Sequence, residues 1–144
     1  MRQLLPTLLL GVLLTAACAW LGDLLTPAAI ARWTIQTNEQ DEWRAALALV
    51  GIRHLPVFLL AVAFGNGLFA ALRSTSTPAL VCAAVPYLLY VVGSGIEESL
   101  AAGERAFEWM AYDPAYFIWP HFLTVPCGLM AARSMVRRRV EQQP

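Results

Sequence analysis

The sequence predicts an all-α membrane protein whose four transmembrane helices pack as a bundle. Hydrophobic residues make up 58% of the 144-residue chain and charged residues only 14%, whereas soluble domains average about 45–50% and about 25%. The apolar residues gather into four long runs without the alternation typical of strands, which favours helices. A single short domain has too little interior for this much apolar surface, so we expect the lipid bilayer to cover part of it.

The four apolar runs set the bounds of the predicted spans. They cover residues 4–25, 46–72, 78–96 and 116–132. Each run approaches or exceeds the ~20 residues that a helix needs to cross a hydrocarbon layer of ~30 Å. The whole chain, 1–144, is then one integral membrane domain, with outer loops at 26–45 and 97–115 and a cytoplasmic basic tail at 133–144.

Local signals predict where two helices begin. Segment 37–40 fits a capping box, so the second helix is expected to start in water and to bend near Pro56. Thr26 followed by Pro27 is typical of a helix N-terminus, which predicts a separate short surface helix over 28–33.

The distribution of charge predicts that both termini face the cytoplasm. The chain has ten arginines and no lysine. Six arginines fall on one side of a four-span arrangement and three on the other, with three consecutive arginines at 137–139, so the positive-inside rule gives an N-in/C-in topology. Nearly all acidic residues and every tryptophan map to the opposite side. The arginine-only, alanine-rich composition is typical of a bacterial gene and therefore indicates a bacterial inner-membrane protein.

The first apolar run has a second interpretation. The run is also compatible with a cleavable signal or with lipidation at Cys18, because Arg2 is followed by an apolar stretch and then by Ala17-Cys18-Ala19. The run continues apolar as far as Leu25, which favours an uncleaved span.

Polar residues near the outer ends of the predicted spans form the candidate site. A count at 1.5 Å per residue from the cytoplasmic ends places most of them in one layer, with one histidine about 10 Å deeper. The cluster consists of Asp23, Arg53, His54, Glu97, Glu98 and the deeper His121. Since a charge within lipid is costly unless it pairs or reaches water, Arg53 is expected either to pair with Glu97 or Glu98 or to be solvated among the headgroups.

No cofactor and no metal are expected from the two histidines. Ligation of one haem by His54 and His121 would require the same depth, and the count separates them by about 10 Å. Neither histidine has a third ligand at a helical spacing. We expect His54 at the interface and His121 hydrogen-bonded in the interior.

Small residues at helical spacing predict close helix packing in the first two spans. The stripes are Gly11, Thr15 and Ala19 in the first span and Ala63, Gly67 and Ala71, with Asn66 beside them, in the second.

Function is predicted to lie in partner binding. The sequence lacks nucleotide-binding and hydrolase motifs, and its net charge of zero gives no indication of nucleic-acid binding. The outer loops are acidic and rich in aromatic residues, as binding surfaces often are. The residues expected to form that surface are Trp33, Trp43, Glu108 and Trp109. The first hypothesis is therefore a non-catalytic accessory or immunity-type component that binds another membrane or periplasmic protein.

Two alternatives stay open. One is a small transporter or channel that works as a homo-oligomer, with Arg53, Glu97, Glu98 and His121 lining an outer-face vestibule. The other is a membrane enzyme in which Glu97, Glu98 and His54 supply acid–base chemistry to a lipid or lipid-linked group.

Overall fold

The computed structural model describes residues 4–38, 42–72, 75–106 and 115–142, and this part of the chain is helical, without strands. A π-helical turn, Val50–His54, joins the second and third helices. The helices are α1 Leu4–Asn38, α2 Glu42–Leu49, α3 Leu55–Leu72, α4 Thr77–Ala101 and α5 Ala115–Glu141.

Three helical stretches are long and apolar enough to cross a membrane: Leu4–Arg32, Arg44–Leu72 and Thr77–Ala101. Many large apolar side chains point outward, among them Leu13 at 62% exposure and Leu89 at 67%. Contiguous exposed apolar surface of this kind is rare on soluble monomers and is expected where lipid covers a protein. The prediction of a helical membrane protein is therefore confirmed.

The fourth predicted span, 116–132, does not meet the same standard. It lies in α5, which is not apolar enough to count as a membrane-crossing helix on composition. His121, Thr124 and two prolines lower its hydropathy, and its last turns carry the arginines of the basic tail.

Close backbone contact nevertheless holds α5 against α3. A Cβ added at Gly128 would lie 2.8 Å from the Ala61 Cβ and 2.9 Å from the Phe58 carbonyl oxygen. A Cβ at Gly65 would lie 2.7 Å from the Ala132 Cβ. Since carbon atoms pack best at about 3.5–4.0 Å, only glycine permits this approach at either position.

The first helix packs against α4 in the same way. A Cβ at Gly11 would lie 2.8 Å from the Ala83 carbonyl oxygen. Thr15 is buried and donates a hydrogen bond of 2.8 Å to the Gly11 carbonyl, so its hydroxyl needs no partner on another helix. Ala19, one turn further, lines a cavity described below.

The small-residue stripe predicted in the second span does not face the bundle. Ala63, Gly67 and Ala71 are exposed, and no atom outside the helix lies within 4 Å of a Cβ at Gly67. The buried face of α3 contains Ala61 and Gly65 instead. This helix carries small residues on more than one face, so their spacing does not determine which face packs.

Asn66 lies at the edge of the packed face. Its Nδ2 donates to the Val62 carbonyl at 3.1 Å and lies 3.7 Å from the Met135 sulfur of α5.

The first helix also continues beyond its predicted end. α1 passes through Pro27 and reaches Asn38, so the separate surface helix over 28–33 is wrong. Thr26 is not an N-cap, because its hydroxyl donates to the Gly22 carbonyl at 2.7 Å within α1. Proline is tolerated inside membrane helices when nearby side chains and helices satisfy the freed backbone groups. The predicted capping box falls across the end of α1 and extends to residues outside the described part.

The π-helical turn lies directly before Pro56. The Leu55 N–H donates to the Val50 carbonyl, a bond across five residues. Pro56 has no N–H and cannot bond to the Ile52 carbonyl as an α-helix requires. The widened turn accommodates this missing bond where the sequence predicts a bend, and it carries Arg53 and His54.

Candidate functional site

A cavity of about 470 Å³ opens between α1, the π-helical turn, α4 and α5. Its volume is within the range of about 300–1,000 Å³ found for small-molecule sites. The polar and charged residues that line it are Asp23, Arg53, His54, Tyr87, Tyr90, Ser94, Glu98 and His121. Five of the six residues of the predicted polar cluster thus meet around one space, whereas Glu97 is exposed and does not line it.

Arg53 lies in the cavity wall and is half-buried. One guanidinium nitrogen is 3.4 Å from His121 Nε2. Arginine has only donors, so a hydrogen bond here requires His121 Nε2 to accept, as it does in the neutral tautomer with the proton on Nδ1.

Of the two alternatives expected for Arg53, the ion pair with Glu97 or Glu98 does not form. In the described part of the chain the ion pair within 4.0 Å joins Arg137 to Glu141 on α5, at 2.8 Å. The helical-rise count placed Arg53 and the two glutamates at one depth, but depth alone does not determine which way side chains point around their helices.

His54 is 5% exposed, and its two ring nitrogens differ sharply in environment. Nδ1 is 3.4 Å from the Thr124 hydroxyl oxygen. That hydroxyl donates its one proton to the Pro120 carbonyl, so Nδ1 carries the proton and donates to Thr124. Nε2 is then a buried acceptor without a hydrogen-bond partner among the described residues.

The two histidines touch each other, contrary to the predicted 10 Å difference in depth. Their ring centroids are 4.7 Å apart and the rings are nearly perpendicular, at 87°. The count of 1.5 Å per residue assumed straight α-helices, and the π-helical turn before His54 and the prolines in α5 break that assumption.

This contact does not place the two histidines as axial ligands of one haem. Axial histidines lie on opposite faces of a haem, whereas these two rings meet edge to face with no space for a macrocycle between them. Across residues 4–38, 42–72, 75–106 and 115–142, no group of three or more His, Cys, Asp and Glu side chains is placed to hold a metal ion.

The cavity has an acidic rim and a less exposed interior. Asp23 and Glu98 are exposed, as is Ser94. Arg53 and His121 are half-buried, while Tyr87 is only 5% exposed. Negative charge therefore lies at the opening and the single positive charge lies further in.

A second opening, a groove of about 560 Å³, lies between α3 and α5 and is almost wholly apolar. Phe58, Trp119 and Leu123 form much of its wall. Thr124 lines this groove but not the polar cavity, and His54 lines both. The groove has an apolar wall on the side of the bundle, and this wall is suited to lipid chains, as is the rest of the exposed apolar surface.

Sequence reasoning identified Glu98 of α4 but missed the other residues that this helix contributes to the wall. Tyr87, Val91, Ser94 and Glu98 all line the cavity and follow one another at intervals of three and four residues, which is the spacing of one helix face. The signal in the sequence is the helical spacing that places Tyr87 and Ser94 on the same face as Glu98.

The predicted outer-loop surface falls largely outside the described part of the chain. This applies to the side chains of Trp33 and Trp43 and to Glu108 and Trp109 entirely.

Comparisons with protein families, with curated proteins and with solved structures found no match to this chain.

Proposed function

We propose that the protein is a small bacterial inner-membrane transporter or channel component that binds a solute carrying a negatively charged group in the polar cavity. The observation that carries the proposal is Arg53. It is a charged residue in a segment apolar enough to cross a membrane, it lines a cavity of ligand size, and no described carboxylate lies within 4.0 Å of it.

An arginine at such a position is costly without a counter-charge. Charged side chains inside membrane proteins usually pair or line solute pathways. The neighbour of Arg53 is a neutral imidazole, which accepts a hydrogen bond but supplies no negative charge. A bound anion group would supply both the charge and the acceptors of the guanidinium, which suits planar oxyanions such as carboxylate.

The packing of the helices supports a four-span arrangement with both ends on one side. Gly11 contacts Ala83 near the starts of α1 and α4, and Asp23 and Glu98, further along the same helices, line one cavity, so these helices run in parallel. Arg133 of α5 donates to the Thr75 carbonyl in the α3–α4 turn at 2.6 Å. Residues 115–132 therefore run back along α3 towards the end of the bundle where α1 and α4 begin. The arginine distribution assigns that end to the cytoplasm, and the cavity then opens towards the periplasmic side.

The experiment is a binding screen on the purified protein in lipid nanodiscs. The probes are propionate, lactate, succinate, inorganic phosphate and alanine, and the readout is the midpoint of thermal unfolding, because a ligand of the native state raises it. We expect at least one probe to raise the midpoint of the wild type and not that of Arg53→Gln. Arg32→Gln, which removes an exposed arginine of α1, is the matched control and should respond like the wild type.

Two results would contradict the proposal. One is the absence of any shift with all probes. The other is an equal shift in the wild type and in Arg53→Gln, since the guanidinium would then play no part in binding. A positive result is followed by reconstitution into liposomes, where a transporter moves the bound solute across the bilayer and a purely binding component does not.

The partner-binding hypothesis stays a prediction, because the structure describes neither the side chains of Trp33 and Trp43 nor any part of Glu108 and Trp109. Replacement of Trp33, Trp43, Glu108 and Trp109 together should abolish capture of a membrane or periplasmic partner in a mild-detergent purification. Unchanged capture would exclude that surface. Recovery of the chain alone as a homogeneous oligomer would favour the transporter.

A further inference from the structure

We infer that the solute is a small zwitterion of the amino-acid class, with a carboxylate bound to Arg53 and an ammonium group held by the acidic rim. This inference rests on the proposed function and names the substrate class of the same cavity. It is carried by the placement of charges around the cavity.

The charges of the cavity are of both signs and are separated in depth. Arg53 contributes one positive charge within the wall, and Asp23 and Glu98 contribute two negative charges at the exposed rim. A simple anion would have to pass and remain close to the two carboxylates. A simple cation would be attracted to the rim and repelled by Arg53. A zwitterion complements both regions at once, and electrostatic complementarity of this kind is what gives a site its specificity.

The neutral histidines are consistent with the same ligand. The hydrogen bond from Arg53 makes His121 Nε2 an acceptor, and the contact with Thr124 makes His54 Nε2 an acceptor. Neither imidazole therefore adds positive charge to the cavity, so the two rim carboxylates leave an excess of negative charge. That excess favours an ammonium group alongside the carboxylate.

The remaining wall suits a compact apolar side chain. Val57 and Val91 are buried and line the cavity. Tyr87 and Tyr90, with ring centroids 6.4 Å apart, present aromatic rings in the same wall, and such rings also attract an ammonium ion.

The test compares matched probes on the full chain in lipid nanodiscs. The twenty common L-amino acids are titrated one at a time. Propionate and ethylamine, which are alanine without its ammonium and without its carboxylate, are titrated beside them, as are the corresponding acid and amine of any other amino acid that binds. Dissociation constants are measured by isothermal titration calorimetry.

We expect at least one amino acid to bind at least tenfold more tightly than either of its one-charge counterparts. The double variant Asp23→Asn/Glu98→Gln, which keeps the shape of both exposed side chains, should weaken amino-acid binding by about tenfold or more, as loss of charged hydrogen-bond partners does. It should leave or improve binding of the carboxylate counterpart. Glu97→Gln, which removes the neighbouring carboxylate outside the cavity, should bind like the wild type.

The measurements distinguish a failure of the zwitterion inference from a failure of the proposed function. If a carboxylate counterpart binds as tightly as its amino acid, and the rim variant changes neither, the zwitterion inference is overturned while binding at Arg53 stands. If only the amine counterparts bind, both the carboxylate subsite and the proposed function fall. If neither amino acids nor carboxylates bind to a chain that unfolds cooperatively, the proposed function fails together with the inference.

Discussion

Replacing Gly65 by alanine tests which face of α3 packs in the bundle, because Gly67 on the same helix provides a matched substitution. A Cβ at Gly65 would lie 2.7 Å from the Ala132 Cβ and 3.1 Å from Leu129 Cδ2. The leucine tip can rotate away, but the alanine Cβ is fixed to the α5 backbone. Since carbon atoms pack at about 3.5–4.0 Å, the two helices would have to separate by about 1 Å.

The expected change in the free energy of unfolding follows from comparing the same substitution at the two glycines. Alanine is a better helix former than glycine by about 1 kcal/mol, and this gain is common to Gly65→Ala and Gly67→Ala. It cancels in the comparison. What remains is the overpacking at Gly65, typically about 1–3 kcal/mol, because a Cβ at Gly67 meets no atom within 4 Å. We expect Gly65→Ala to have the lower free energy of unfolding by that amount.

The assay is equilibrium unfolding by dodecyl sulfate in mixed micelles. The thiol of Cys18 is 2% exposed, so its reaction with a maleimide dye reports loss of the packed core. Cys82→Ala and Cys127→Ala, present in every variant, remove the two more accessible thiols. Equal stabilities of Gly65→Ala and Gly67→Ala, or a lower stability of Gly67→Ala, would refute the packing of α3 described above. The second result would favour the stripe of Ala63, Gly67 and Ala71 as the contact face.

Three further predictions use the same unfolding measurement. Thr124→Val should lower the free energy of unfolding by about 1–3 kcal/mol, because His54 Nδ1 loses its partner. The control Ser134→Ala, which removes an exposed hydroxyl bonded to its own helix, should not lower it, and equal effects of the two changes would exclude the assigned role of Thr124. Arg133→Gln should lower the free energy of unfolding by about 1–2 kcal/mol through the lost hydrogen bonds to Thr75 and Thr77, whereas Arg138→Gln, exposed on the same helix, should have little effect. If Arg133→Gln left the stability unchanged, the α3–α4 turn would not depend on α5. Arg137→Gln should leave the stability unchanged despite the 2.8 Å contact of Arg137 with Glu141, since both side chains are more than half exposed and such pairs contribute little. A clear loss of stability would show that the tail is more ordered than its exposure indicates.

The sequence predicts the membrane class and the helical fold because both depend on composition and run length. It also identifies the charged residues and the histidines of the cavity, since such residues are rare within apolar segments and therefore conspicuous. It fails where rotation about a helix axis matters. The partner of Arg53 and the packed face of α3 depend on rotation, and a depth count carries no information about it. The contact between His54 and His121 was missed for another reason, because the depth count assumes straight α-helices and neither segment is one.

The part of the cavity wall that α4 forms was also difficult to predict from the sequence. Tyr87 and Ser94 are ordinary residues for a membrane helix when each is considered alone. Their common face becomes informative only once Glu98 is known to line a cavity. Pro27 illustrates a different failure, because a rule for helix starts in soluble proteins was applied inside a membrane helix that continues through it.

The π-helical turn at Val50–His54 makes the site depend on the number of residues in the chain as well as on their identity. Such a turn contains one residue more than an α-helical turn needs, and single turns of this kind often occur at functional sites. Deletion of Gly51, which is exposed and has nothing within 4 Å of an added Cβ, would remove that extra residue and narrow the turn. Because the turn absorbs the extra residue within itself, α2 and α3 would keep their packed faces, whereas the side chains inside the turn would change direction. In a chain shortened in this way, an alignment would still show both Arg53 and His54, while the turn would no longer direct them towards the space that Asp23 and Glu98 line.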